Sequence, residues 1–159
     1  MEKHFDDNEI IVSKTDLNGR ITYGNQIFIK LSGYSEKELL GRPHNIIRHP
    51  DMPKVVFSLL WEGIKSRKEV PAYVKNLSKD GFYYWVLAFV TPSFDEEGNI
   101  IGYHSIRIKP KVSAISVIEP LYQRLLTAEK NGGLEASKMA LEEILNKEGI
   151  NYERFVLSL

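Results

Sequence analysis

The chain has 159 residues, 43% of them apolar, with 21 Lys and Arg balancing 21 Asp and Glu and no cysteine. The balanced charge gives no electrostatic footprint for nucleic acid or an anionic membrane surface. The missing thiols exclude disulfides, thiolate metal sites, cysteine nucleophiles and any flavin photochemistry that forms a cysteinyl adduct. No apolar run reaches the roughly 18 residues a membrane helix needs, and the start, MEKHFDDNE, is too polar for a signal peptide. A cytosolic protein without direct membrane insertion is expected.

Two β-rich runs flank Asp16-Leu17-Asn18-Gly19 and read as a hairpin. QIFIKLSGY then places Ile27, Phe28 and Leu31 near helical spacing. Ser35 and Glu38 form an S-x-x-E capping box ahead of Gly41, which predicts a very short helix. The segment PHNIIRHPDMP, from Pro43 to Pro53, concentrates stiff and ionisable residues. Asp51 is the expected N-cap of the longer helix that follows, with Pro53 in its first turn. Phe57, Leu60, Trp61 and Ile64 form one apolar stripe of that helix.

Asp80-Gly81 between VPAYVKNL and FYYWVLAFVTPSF is a second hairpin signal, and DEEGN turns into IIGYHSIRI. The predicted class is α+β with about five strands. Phe82 to Val90 is apolar on both alternating sets, so the second face of the sheet should be covered, by a partner or by the chain's own termini. Beyond Lys111 the pattern is helical. Ile118, Leu121, Tyr122 and Leu125 make a stripe, Pro120 starts or kinks the helix, KNGG breaks it, and Leu134 to Lys147 forms another helix. NYERFVLSL is a candidate for one more short helix.

The order of elements, with TDLNGRITYGN, SGYSEKELLGRPHNIIRHPDMP, LW, VKN, GFYYWV and GNIIGYHSIR, resembles a PAS domain, and most of all the FAD-binding PAS domains of bacterial aerotaxis and energy-taxis sensors. The resemblance implies a PAS sensor domain over residues 7–109 and a helical extension over 110–159. VIEPLYQRLLTAEKNGG resembles the helix that follows such domains. The whole resembles the short sensor subunits that work beside a separate, membrane-anchored chemotaxis transducer, as a homodimer or hetero-oligomer through the sheet face and terminal helices. Where many relatives carry a tryptophan before VKN, this chain has Val70.

By the same resemblance, Trp61 and Asn76 contact the flavin ring. A flat ring suits an aromatic neighbour, and an amide can meet a ring edge whether it accepts or donates. Core packing for Trp61 and a strand-edge role for Asn76 are the plain alternatives. Arg48 would face the pyrophosphate or the ring's polar edge, and His49 would hold the loop or meet the adenine, with a proline-braced surface loop as the plain alternative for both. Asn25 lines the pocket or caps a helix. The functions left open are a flavin redox or oxygen sensor, a cofactor-free interaction module, and a haem-based sensor through His49. No acid–base constellation, nucleophile or glycine-rich nucleotide loop marks an enzyme.

Overall fold

Asp16 organises the first turn. Its Oδ1 accepts from the N–H groups of Asn18 at 2.9 Å and Arg20 at 3.0 Å. Gly19 supplies the positive φ, 78°, that the reversal needs. The chain therefore leaves β1 (Ile11–Asp16) and returns as β2 (Ile21–Gly24) in a computed structural model that describes residues 1–159. Short helices follow at α1 (Gln26–Ser32) and α2 (Glu36–Leu39), the latter closed by the expected Ser35/Glu38 capping box. A 3-10 turn spans His44–Ile47.

Helix α3 (Lys54–Lys65) leads into β3 (Val70–Leu77), β4 (Tyr83–Phe94) and β5 (Ile100–Ile108). The turns at Gly81 (φ 89°) and Gly98 (φ 83°) lie where the sequence places them. The strands form one antiparallel sheet in the order β2-β1-β5-β4-β3. The α+β class and the five-stranded antiparallel sheet agree with the expectation. Residues ahead of Asp7 also join this unit: Lys3 and Tyr83 pair through the backbone at 2.7 Å, and Phe5 is buried.

Pairing fixes which side chains share a face. Val74 opposes Val86 and Asn76 opposes Tyr84, while Tyr73 opposes Leu87 and Lys75 opposes Trp85. The first set faces inward, where Tyr84, Val86 and Ala88 pack with Ile11, Phe28, Leu31 and Ile47. The second faces outward, where Tyr73 and Trp85 pack with Ala114, Ile118, Tyr122 and Leu125 of α4 (Val112–Glu148). The cover of the doubly apolar β4 is thus the chain's own C-terminal helix. Over β5 the cover is incomplete, and Ile106 remains 41% exposed.

Pro120 lies inside α4 and leaves its helical dihedrals intact. The break comes at Gly133, with φ 74° and ψ −167°, a conformation open to glycine and costly for other residues. A last helix, α5 (Tyr152–Leu157), adds Tyr152 and Val156 to the outer core. No helix is long and apolar enough to cross a membrane.

The start of α3 departs from the expectation. Pro53, not Asp51, is the N-cap residue, and it has no side-chain acceptor to offer. Asp51 turns instead to Lys75 on β3, with Oδ2 3.1 Å from Nζ. The N–H groups of Lys54 and Val55 donate to Glu129 of α4, at 2.9 and 3.1 Å. A residue 75 positions further along does the capping.

Tyr122 ties α4 to the sheet: its hydroxyl donates to the Tyr73 carbonyl at 2.6 Å and lies 3.0 Å from the Tyr152 hydroxyl. Tyr122→Phe keeps the ring and leaves these buried groups short of a partner. It should lower stability by about 1–3 kcal/mol in urea unfolding. A variant as stable as the parent would mean that water replaces the lost hydroxyl.

Candidate functional site

The inner face of the sheet does not close completely against the helices. A cavity of about 150 Å³ remains between β1, β3, β4 and β5 on one side and the 3-10 turn and α3 on the other. Its apolar wall comes from Phe57, Leu60, Trp61 and Ile64 on α3 and from Val74, Ala88 and Val90 on the sheet. The α3 stripe is therefore divided. Leu60 and Ile64 are buried, whereas Trp61 is 38% exposed and meets Tyr103 edge to face at 5.4 Å.

The polar wall is cationic. Arg107, on the inward set of β5, is 3% exposed. Its Nη2 donates to Ser13 Oγ at 2.7 Å and its Nη1 to Ser105 Oγ at 3.3 Å. The guanidinium carbon sits 5.1 Å from the Phe28 ring centroid. No carboxylate reaches Arg107, and none lines the cavity. Burial brings its pKa down to about 10, partly offset by Tyr84, so it stays a cation at neutral pH.

His44 lies beside this cation. Its Nε2 is 2.8 Å from Ser13 Oγ and 3.5 Å from Arg107 Nη1. Arg107 donates to Ser13, whose own proton then points to Nε2, which places the histidine proton on Nδ1. Burial first, then the charges of Arg107 and Arg48, push the His44 pKa down to about 3. A neutral imidazole is the form that tolerates two guanidinium neighbours.

Three buried side-chain polar atoms lack any hydrogen-bond partner: Arg107 Nε, Asn76 Nδ2 and the Tyr84 hydroxyl. Arg107 and Asn76 line the cavity, and Tyr84 opposes Asn76 in the adjoining strand pair. Burial pushes the Tyr84 pKa up to about 12, against the pull of Arg107 and of the Asn76 amide across the strand pair, which is near enough to act on the hydroxyl without forming a hydrogen bond of good geometry. Stranded groups of this kind cost about 1–3 kcal/mol each unless a ligand or water meets them. Two of them, Arg107 Nε and Asn76 Nδ2, are donors on residues that line one cavity, which marks a place where acceptor atoms belong.

The segment from Pro43 to Pro53 divides into two parts. His44, Asn45, Ile47 and Arg48 form the cavity's lower wall. Arg48 stacks on Phe57, its guanidinium carbon 3.6 Å from the ring centroid, and has no salt-bridge partner. The second part fastens the wall to β3. His49 donates its N–H to the Lys75 carbonyl at 3.3 Å, and its Nδ1 accepts from the Asp51 N–H at 3.0 Å.

Three of the five candidate contacts, Arg48, Trp61 and Asn76, thus come together at the cavity. His49 does not, because its ring is engaged with Asp51 and lies edge-on to Tyr83 at 6.1 Å. Asn25 does not either. Its Oδ1 accepts from Val12 and Phe28, both at 3.1 Å, and its Nδ2 donates to Ile10 at 2.8 Å, so its amide is spent on capping α1 and tying it to β1. Val70, at the position where a tryptophan was expected, fills the space beside Gly63 of α3. Sequence reasoning missed Arg107, His44 and Ser13. The alternation of Tyr103, Ser105 and Arg107 on one face of β5 was the available signal, and it became readable only once the neighbouring strands fixed which face is inward.

A model of the PAS fold matches residues 21–107. The aerotaxis receptor of Escherichia coli (strain K12) is 44% identical over 119 residues, covering 75% of this chain and 23% of that protein. A nitrogen fixation regulatory protein of Klebsiella pneumoniae is 28% identical over 116 residues, covering 73% of this chain and 22% of that protein. The chain therefore spans less than a quarter of the length of either relative. The dark structure of the blue-light photoreceptor Aureochrome1 LOV superposes with a TM-score of 0.57 at 26% identity, over 77% of this chain and 83% of that one.

Because His44 is held neutral when folded, the unfolded chain binds a proton that the folded one refuses below the ordinary histidine pKa. Stability should fall as pH drops from about 6.5 toward 3, by less than about 1.4 kcal/mol per unit because the cavity admits some solvent. His44→Gln should flatten the slope of urea-unfolding stability between about pH 7 and pH 5. Parallel slopes for both proteins would place the titration elsewhere.

Proposed function

The chain belongs to the PAS-fold family, and on that premise we propose that it is a flavin sensor that holds FAD in this cavity. It would report redox or oxygen state to a chemotaxis-type transducer on a separate, membrane-anchored chain. The observation that carries the reading is Arg107: a buried guanidinium with no carboxylate, beside two further stranded polar atoms. An uncompensated buried cation is costly, and an electron-rich ligand offsets that cost. Similarity to an aerotaxis receptor at 44% identity supports the assignment to energy taxis.

The residues present fit a flavin. Arg107 and Asn76 offer donors to ring oxygens and nitrogens, and Trp61, Leu60 and Val90 offer apolar surface to the ring faces. Arg48 supplies a planar donor fork suited to a phosphate. The cavity, at about 150 Å³, is smaller than the roughly 300–1,000 Å³ of ordinary small-molecule sites, so it suits part of a dinucleotide while the remainder stays outside. The flavin would supply the electron chemistry. The protein's part is to shield the ring and meet its edge with donors fixed in advance.

Asn76 also stands where a local change can travel. Its amide faces the cavity, whereas Tyr73, three residues earlier on the same strand, faces outward and accepts from Tyr122 of α4. A shift in the Asn76 hydrogen bonds would be felt at α4, and a partner docking on α4 or on the exposed outer face near Ile106 would read it.

Titration of FAD into the purified protein, followed by absorbance and flavin fluorescence, tests this reading. The expected result is bound flavin with shifted bands. In Arg107→Gln affinity should weaken by about 1–3 kcal/mol, the range for hydrogen bonds to a charged group. FMN in parallel separates the ring from the adenosine half. A colourless protein that takes up neither would overturn the proposal.

A further inference from the structure

We propose that Glu129, in the C-terminal helix, is a positioning residue for the cavity. By fixing the start of α3, its carboxylate holds Phe57, Leu60 and Trp61 where a ligand would meet them. The chain outside the family match would then be part of the site, not only a reporter of it.

Helix α3 has two working faces. Phe57, Leu60, Trp61 and Ile64 face the cavity. Val55, Leu59 and Glu62 face a groove whose other wall is Leu141, Leu145 and Tyr152 of α4 and α5. The helix therefore lies between the ligand space and the C-terminal helices, and a small displacement of its axis alters both. What sets the axis at its N-terminal end is not local. Pro53 carries no side-chain acceptor, and Asp51 is engaged with Lys75. The amides of Lys54 and Val55 rest on Glu129 alone among side chains, one on each carboxylate oxygen, at 2.9 and 3.1 Å. A two-point contact fixes direction as well as distance, and a negative charge at a helix N-terminus adds a favourable interaction with its dipole.

Glu129 is itself braced. Ser137 Oγ lies 3.0 Å from its Oε2 and 3.0 Å from the Leu134 carbonyl, so its one proton serves either. Glu129 and Ser137 stand on opposite sides of the break at Gly133. The two arms of α4 thus converge on the carboxylate that starts α3. Coupling between two sites is reciprocal: if the C-terminal helices hold α3 in its binding position, a ligand in the cavity tightens the same cap.

The affinity part of the test rests on the flavin reading, and the amide and tryptophan parts do not. Glu129→Ala and Glu129→Gln are compared with the parent by hydrogen exchange across residues 54–64, by Trp61 emission with Trp85→Phe as background, and by FAD titration. Glu129→Ala is expected to raise exchange at the Lys54 and Val55 amides about tenfold, shift Trp61 emission, and weaken FAD binding roughly three- to tenfold, the size of a lost helix cap. Glu129→Gln, which keeps one acceptor, should recover part of each. Faster exchange confined to the first two amides, with Trp61 emission and FAD affinity unchanged, overturns the proposal. If even the parent takes no FAD, the flavin reading fails alone. Glu129 is then judged in the ligand-free protein, where unchanged exchange at 57–64 and unchanged Trp61 emission reject it.

Discussion

A guanidinium on the central strand of the inner face, with no carboxylate to answer it, sets the terms for the rest of this molecule. Arg107 is held by two serine hydroxyls and an aromatic face, which position it without neutralising it. Its neighbours conform to that charge. His44 gives up its proton, the cavity wall carries no acid, and Arg48 lies flat on Phe57 instead of seeking a salt bridge. A hydrophobic core alone would favour an apolar side chain at this position. Retaining the cation beside an unpartnered Asn76 amide is reasonable where a ligand completes the wall.

The second constraint is the double coverage of the sheet. Strand β4 is apolar on both faces, and the chain covers the outer one itself with α4 and α5. This brings the helical extension within reach of the site along two routes. One crosses the sheet from Asn76 to Tyr73 and Tyr122, and the other runs through α3 to Glu129. The first depends on a buried hydrogen bond, where a small displacement has a measurable cost, and the second on a part-buried contact at Val55 beside a more exposed one at Lys54.

What the sequence made legible was mostly local. The hairpins at Asp16–Gly19 and Asp80–Gly81 and the Ser35/Glu38 box are short-range chemistry, and each forms as expected. The apolar stripe of α3 was visible, but not that Leu60 and Ile64 are buried while Trp61 stays partly exposed at the cavity. Asp51 was misassigned because capping rules look a few residues ahead, whereas the true partner of α3 lies in another helix. Asn25 and His49 each carried two readings, and local hydrogen bonds agree with the structural one in both cases, the α1 cap for Asn25 and the loop brace for His49. Arg107 was passed over because a strand's alternation does not say which set faces inward until its neighbours are known.

The claim on which this account depends is that Arg107 and Asn76 meet the ligand directly. Side-chain nitrogen NMR of the protein with and without saturating FAD addresses it most directly, because Arg107 Nε–H and Asn76 Nδ2–H₂ have no protein partner to mask a new one. The expected result is a marked shift of both signals on FAD addition, with Asn25 Nδ2–H₂ unmoved as an internal reference. Bound flavin with unmoved Arg107 and Asn76 signals would contradict it, for the stranded donors would then serve the fold and not the ligand.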